Sequence, residues 1–197
     1  MYPPKISPAA VPSAGDAVRG ALRVAFVQSC WHRDIVDECR EAFCSTLRAR
    51  AGQHDIVDAF EVPGAFELPL HAQYLARSGR YDVIVAAGFV VDGGIYRHEF
   101  VAQAVIDGLM QVQLSTGVPV ISAVLTPQNF NAQAEHVSFF RGHMQVKGAE
   151  AAHACLSTVA GLRALQGPGL APVGAPAPPY LRNSPRSRVS TASTRKM

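Results

Sequence analysis

The sequence of 197 residues has few charged side chains and no long apolar run, and both absences narrow the class of protein. Charged residues make up only 17% of the chain, and no uninterrupted apolar stretch approaches the roughly 20 residues that a membrane-spanning helix needs. Residues 1–19 contain four prolines and no apolar segment of the kind found in secretory signals. We therefore expect a cytoplasmic protein with no membrane partner.

Cysteine is scarce and is poorly placed for a metal site or a disulfide framework. Cys30, Cys39, Cys44 and Cys155 show neither the Cys-x-x-Cys spacing of zinc sites nor the compact arrangement of small secreted proteins. We expect reduced thiols and no metal site.

The net charge of +3 is unevenly distributed along the chain. Residues 167–197 carry five basic and no acidic side chains, whereas residues 21–166 carry 11 basic and 14 acidic ones. Proteins that bind nucleic acid cluster Lys and Arg on a folded surface, so we expect no nucleic-acid partner. The composition predicts three parts: a disordered N-terminal extension (1–20), a folded domain (21–166), and a disordered basic tail rich in proline and serine (167–197).

The apolar pattern of the folded domain alternates between strands and helices. Four short apolar runs predict buried strands, at residues 22–28, 56–62, 81–87 and 119–125. Helical spacing predicts five helices, at residues 34–51, 66–78, 97–116, 129–139 and 147–165. Right-handed crossovers between such strands form a parallel sheet that is covered on both faces. We therefore predict an α/β fold, a three-layer α/β/α sandwich around a four-stranded parallel sheet.

Ligands of such sheets bind beyond the carboxyl ends of the strands. The segments that follow those ends contain aromatic, charged and titratable side chains that could bind a ligand or take part in catalysis. The first segment contains Trp31, which could stack on a flat heteroaromatic ring or could cap the edge of the core. The second opens a helix with Gly64 and Glu67. The Glu67 carboxylate can accept hydrogen bonds from ligand hydroxyls, or can simply interact favourably with the start of its helix.

The third segment joins two adjacent glycines to a cation and an imidazole. Gly93 and Gly94 allow the chain to fold tightly over a small molecule, and Arg97 and His98 then open a helix. A guanidinium can neutralise a phosphate, and an imidazole can transfer protons near neutral pH. The loop is neither a Gly-x-Gly-x-x-Gly nor a Walker sequence, which disfavours dinucleotide and nucleotide binding.

Several motifs occur together and in order between residues 22 and 160. They are Trp31, Pro-Gly-Ala-Phe-Glu at 63–67, Gly-Phe-Val-Val-Asp-Gly-Gly at 88–94, Gly-Val-Pro-Val at 117–120, Leu-Thr at 125–126 and Lys-Gly-Ala-Glu-Ala-Ala at 147–152. In this combination the sequence resembles the lumazine synthases of riboflavin biosynthesis.

The resemblance implies a reaction, a fold and an assembly. The reaction condenses 5-amino-6-(D-ribitylamino)uracil with 3,4-dihydroxy-2-butanone 4-phosphate to 6,7-dimethyl-8-ribityllumazine, and it uses no cofactor. The implied fold is flavodoxin-like, and the implied assembly is a homopentamer with active sites between neighbouring subunits. The Gly-Gly-Ile-Tyr-Arg-His variant at 93–98 resembles the subgroup that forms decamers rather than icosahedral shells.

The resemblance also implies the roles of individual residues. Trp31 would stack on the pyrimidine ring, and the segment Ala65, Phe66 and Glu67 would hold the ribityl chain. The segment Phe89, Val90 and Val91 would line the ring pocket.

The remaining correspondences depart from the usual pattern of the family. Gly94 and Ile95 occupy the Glu-Thr positions near the phosphate, and His136 occupies the position of the phosphate-binding arginine. Ser122 stands where a phenylalanine reaches the neighbouring subunit's site, and Lys147 matches a motif lysine although Val146 replaces the preceding asparagine.

Two questions remain open at the level of sequence. In the ungapped register Arg97 occupies the position of the catalytic histidine, and His98 follows it, so either residue is a candidate for the catalytic role. The other function that the sequence allows is storage or sensing of flavin or lumazine, with weak synthase activity.

Overall fold

The computed structural model describes residues 21–50, 55–95 and 97–166. The predicted extensions at 1–20 and 167–197 lie outside the described residues. The secondary structure runs in the order β1 (Arg23–Ser29), α1 (Arg33–Arg50), β2 (Ile56–Val62), α2 (Leu68–Arg77), β3 (Val83–Phe89), α3 (His98–Thr116), β4 (Val120–Leu125) and α4 (Ala134–Gln166). No helix of these residues combines the length and apolar character that crossing a membrane requires.

The four strands form one parallel sheet in the order β2-β1-β3-β4. Ser29 of β1 pairs with Val62 of β2, and Phe89 of β3 pairs with Leu125 of β4. The carboxyl ends of all four strands therefore lie along one edge of the sheet, and the loops that follow them are neighbours.

Helices cover both faces of the sheet. Side chains of β1 alternate between the two faces, because successive residues of a strand point in opposite directions. Phe26 packs in the cluster with α1 and α4, whereas Val27 packs in the cluster with α2 and α3. The predicted α/β/α sandwich with a four-stranded parallel sheet is confirmed.

Helices α1 and α4 pack closely enough to exclude side chains at one point. A Cβ atom placed on Gly148 of α4 would lie 2.2 Å from the carbonyl oxygen of Cys39 in α1. Cys39 and Cys155 are buried between these helices and the sheet, and burial raises the pKa of each thiol to about 12. The reactive thiolate form is therefore disfavoured at both positions.

The prediction of two helices at 129–139 and 147–165 was wrong, because α4 is one continuous helix. Gly142 alone costs a helix only about 1 kcal/mol relative to alanine. Met144 in the same stretch is fully buried. The Glu38 carboxylate accepts hydrogen bonds from Arg141 Nη2 and Gln145 Nε2, both at 2.7 Å. These contacts with α1 stabilise the helix through the predicted break and hold the pKa of Glu38 below its ordinary value.

The predicted helix at 66–78 begins differently from the expectation. Residues Ala65–Glu67 form a 3₁₀ turn, and α2 starts at Leu68 with Pro69 in its first turn. Proline lacks the amide hydrogen that an interior helical position needs, so it fits this position well.

Candidate active site

Backbone hydrogen bonds join the loops at the carboxyl edge of the sheet. The amide of Cys30 donates to the carbonyl of Val62 at 2.9 Å, and the amide of Val90 donates to the carbonyl of Leu125 at 2.9 Å. The loops after β1 and β2 are therefore tied together, as are the loops after β3 and β4.

Trp31 projects into solvent from the loop after β1. Its side chain is 69% exposed. The alternative interpretation, in which Trp31 caps the edge of the core, was therefore wrong. The next residue, His32, has a φ of +52°. Its carbonyl oxygen accepts hydrogen bonds from the amides of Ile35 and Val36, with N···O distances of 2.9 and 3.1 Å. The left-handed backbone at His32 turns the chain sharply and starts α1, which leaves the indole outside the core.

Ion pairs hold the start of α1 beside the end of β2. Glu61 pairs with Arg33 and, at 3.7 Å, with Arg40. Asp37 pairs with Arg40 at 3.0 Å and accepts a hydrogen bond from Gln28 Nε2 at 2.7 Å. The charges of both arginines are neutralised locally, so this cluster fixes the loop of Trp31 rather than offering a site for an anion.

The turn at 63–67 places a carboxylate and a short apolar side chain at the same edge. The amide of Gly64 donates to Glu67 Oε2 at 2.9 Å, while Ala65 is buried and Phe66 is 64% exposed. Glu67 thus caps its own turn, as the simpler interpretation expected. A carboxylate has about four acceptor positions, so this bond leaves capacity for ligand hydroxyls.

The residues at the end of β3 keep most of their side-chain surface buried. Phe89 and Val90 are buried on opposite faces of the sheet, and Val91 is half-buried. A Cβ atom on Gly88 would lie 3.2 Å from both Ser29 Oγ and Leu68 Cδ1. Glycine at 88 therefore allows Ser29 and Leu68 to pack closely against β3.

The loop after β3 bends at Gly94 and exposes its side chains. Gly94 has a φ of +75°, and its amide donates to Asp92 Oδ1 at 2.8 Å. Ile95 is 86% exposed. Arg97 is also exposed and places its guanidinium 5.8 Å from the ring centre of Phe100.

His98 differs from Arg97 in its exposure. As the first residue of α3, its side chain is only 14% exposed, and its Nδ1 lies 3.6 Å from Glu99 Oε2. The fold therefore presents the guanidinium to solvent and shields the imidazole.

An open cavity of about 440 Å³ separates the loop after β3 from the loop after β4. It is lined by Asp92, Gly94, Gln128, Asn129, Phe130, Asn131 and His136. His136 Nδ1 is buried and has no hydrogen-bond partner among the described residues. The lining places the amide side chains of Gln128, Asn129 and Asn131 near the Asp92 carboxylate, which suits a ligand that both accepts and donates hydrogen bonds.

Of the predicted site residues, Gly94 and His136 line this cavity and the others do not, including Ser122 and Lys147. Ser122 is exposed on the edge strand β4, and Lys147 Nζ pairs with Glu150 Oε2 at 2.6 Å. Lys147 follows His136 by 11 residues on α4, which corresponds to roughly 16 Å along a helix. Within one subunit the structure does not bring His136 and Lys147 together.

The polar residues after β4 were missed by the sequence analysis. The sequence predicts a helix from residue 129, but α4 begins at Ala134. The residues before it, Asn129, Phe130 and Asn131, line the cavity instead. The sequence feature that could have indicated a loop here is the group of amide side chains directly after Pro127, because asparagine favours turns over helix interiors. No group of three His, Cys, Asp or Glu side chains in the described part of the chain is arranged to hold a metal ion.

Comparison with known proteins identifies the family that has these motifs. Residues 21–163 match the family model for 6,7-dimethyl-8-ribityllumazine synthase. The chain is 62% identical over 145 residues to 6,7-dimethyl-8-ribityllumazine synthase 2 of Bradyrhizobium diazoefficiens, covering 74% of this chain and 87% of that protein. It is 61% identical over 143 residues to 6,7-dimethyl-8-ribityllumazine synthase of Rhodococcus erythropolis, covering 73% and 92% of the two chains. The protein therefore belongs to the 6,7-dimethyl-8-ribityllumazine synthase family.

Proposed function

We propose that this chain condenses 5-amino-6-(D-ribitylamino)uracil with 3,4-dihydroxy-2-butanone 4-phosphate to 6,7-dimethyl-8-ribityllumazine, releasing phosphate and water. The observation that carries the proposal is the convergence of Trp31, the 63–67 turn and the 88–98 loop at one edge of the sheet in a chain of this family. The enzyme is a transferase, and its place is the cytoplasm, where thiols stay reduced.

The pyrimidine half of the proposed site uses Trp31 and the loops after β2 and β3. The exposed indole stacks on the ring, and the segment Phe89, Val90 and Val91 lines the ring pocket, with Val91 the least buried of the three side chains. Glu67 accepts hydrogen bonds from the ribityl hydroxyls, beside Ala65 and Phe66. Each of these groups lies in a segment that follows a strand's carboxyl end.

The phosphate half uses the cavity between the loops after β3 and β4. The positive φ of Gly94 shapes the loop, and Ile95 follows it. His136 lines the cavity from α4, and Arg97 of the loop after β3 supplies a permanent positive charge. A phosphate bound there lies beside the loop that carries His98.

Proton transfer is assigned to His98 in this proposal. The condensation makes carbon–nitrogen bonds and eliminates phosphate, so one group must move protons while another neutralises the leaving anion. An imidazole can do the first near neutral pH, and a guanidinium can do only the second. The shielded position of His98 and the exposed position of Arg97 fit this division.

The proposed enzyme is a homo-oligomer of pentamers, most simply a decamer. Helices α2 and α3 expose apolar side chains one turn apart, at Leu70 and Tyr74 and at Met110 and Leu114. Such a face is stabilised by a second copy of the chain. In the assembly, Ser122 and Lys147 would serve a neighbouring subunit's site, which accounts for their distance from the cavity of their own subunit.

The test is the absorbance spectrum of the purified protein mixed with both substrates. The lumazine has a spectrum distinct from that of bound flavin, so growth of the lumazine band supports the proposal. The control omits the phosphorylated ketone. A protein that binds riboflavin but forms no lumazine would contradict synthase activity and favour a storage or sensor role.

A further inference from the structure

His32 combines an unusual backbone conformation with contacts to two parts of the site edge. Among the described residues it has the one positive φ outside glycine, at +52°. Residues other than glycine adopt this conformation infrequently, but asparagine, aspartate and histidine are enriched in it, so histidine is one of the few side chains that suit this turn.

The ring of His32 packs against aromatic side chains from the end of β3 and from the loop after β4. It lies edge-on to Phe89 at 5.5 Å and to Phe130 at 5.0 Å, measured between ring centres. Phe130 in turn packs on Phe89 at 5.2 Å and on Phe140 of α4 at 5.8 Å. We call His32, Phe89, Phe130 and Phe140 the aromatic cluster.

Phe130 belongs both to the aromatic cluster and to the lining of the cavity. Gln128, Asn129 and Asn131 of the same loop also line the cavity. The position of this loop therefore depends on the packing of Phe130, and His32 supplies one of its three aromatic partners. The backbone of His32 meanwhile sets the direction of the loop that carries Trp31.

We propose that His32 is a positioning residue that links the two halves of the site: its backbone orients Trp31, and its ring holds the 128–131 loop in place for the phosphorylated substrate. The proposal rests on the proposed function, since it assigns the cavity to the phosphate. His32 touches neither substrate. Its role is to keep the phosphate loop at a fixed distance from the pyrimidine platform.

Two substitutions separate the backbone of His32 from its ring. Asparagine tolerates a positive φ but has no ring, so His32→Asn keeps the direction of the Trp31 loop and removes the contact with Phe130. Phenylalanine keeps an aromatic ring at a cost in backbone strain. His153→Asn is the matched control, because His153 is exposed on α4 and outside the aromatic cluster.

The kinetic readout is the KM for the phosphorylated ketone and the inhibition constant for inorganic phosphate. We expect both to rise roughly 2- to 10-fold in His32→Asn, the scale of one lost aromatic contact, with riboflavin affinity from Trp31 fluorescence within about twofold of wild type. His32→Phe should restore both constants while lowering the temperature of unfolding. Unchanged constants in His32→Asn, or an equal rise in His32→Phe, would overturn the proposal.

A second readout does not depend on catalysis. Hydrogen–deuterium exchange of residues 128–133 should be faster in His32→Asn than in wild type and should return toward wild type in His32→Phe. A wild-type protein that forms no lumazine would contradict the proposed function, whereas unchanged exchange in this loop would contradict the role of His32.

Discussion

At the scale of single residues, the structure separates the exposed from the buried side chains among the candidate site residues. Trp31 has a large exposed ring surface, whereas Phe89 and Val90 have none to offer a ligand. The sequence could place these residues at the strand ends but could not tell which side chains point outward. That distinction depends on the left-handed turn at His32 and on packing from loops far along the chain.

Trp31→Ala should weaken the binding of riboflavin by roughly 1–3 kcal/mol, because aromatic stacking and its apolar burial are lost. The measurement is equilibrium dialysis with riboflavin. Trp31→Phe is the control, since it keeps a ring for stacking. Full affinity in a folded alanine variant would exclude a stacking role for Trp31.

Substitutions at Arg97 and His98 should affect different kinetic constants. His98→Ala should lower kcat by about 10²- to 10⁴-fold, the usual size of general acid–base catalysis, with little change in pyrimidine affinity. Arg97→Ala should mainly raise the KM for the phosphorylated ketone. Steady-state kinetics with each substrate varied will measure both. A large loss of kcat in Arg97→Ala alone would mean that catalysis here relies on electrostatics at Arg97.

At the scale of elements, the bounds of the strands were predictable and the continuity of α4 was not. The prediction for β2 matched the structure, and those for β1, β3 and β4 were within two residues, because buried parallel strands are continuous apolar runs. Helix α4 continues past Gly142 because Arg141 and Gln145 bond to Glu38, which lies more than 100 residues earlier in the chain. No local pattern contains that contact.

The contact between α1 and α4 yields a matched pair of glycine variants. Gly148→Ala should lower the free energy of unfolding by about 3 kcal/mol or more, since its Cβ would overlap the Cys39 carbonyl. Gly142→Ala on the same helix meets nothing within 4 Å and should raise the free energy of unfolding by roughly 0.5–1 kcal/mol. Urea titrations will measure both variants. Equal effects at the two positions would contradict the close packing at Gly148.

At the scale of the whole molecule, the fold brings Trp31, the 63–67 turn and the 88–98 loop to one edge of the sheet, whereas Ser122 and Lys147 do not line the cavity at that edge. The family resemblance suggests that Ser122 stands where a residue reaches a neighbouring subunit's site. A contact between chains leaves no signature in the apolar pattern of one chain, so that pattern alone could not predict it.

A charge in the apolar face of α3 should disrupt the assembly. Leu114 is 76% exposed in the single chain, and Leu114→Asp would bury a carboxylate without a partner if this face packs against a second copy. Sedimentation velocity should show smaller species than wild type. Leu165→Asp is the control, because Leu165 is also exposed but lies near the end of α4. An unchanged sedimentation coefficient for Leu114→Asp would place the subunit contact on another face.

The central claim, that this chain is a working synthase, is tested most directly by measuring lumazine and inorganic phosphate in the same reaction. With both substrates in excess over protein, we expect one phosphate released for each lumazine formed, through many turnovers per subunit. Product limited to less than one equivalent per subunit, or phosphate released without lumazine, would contradict it.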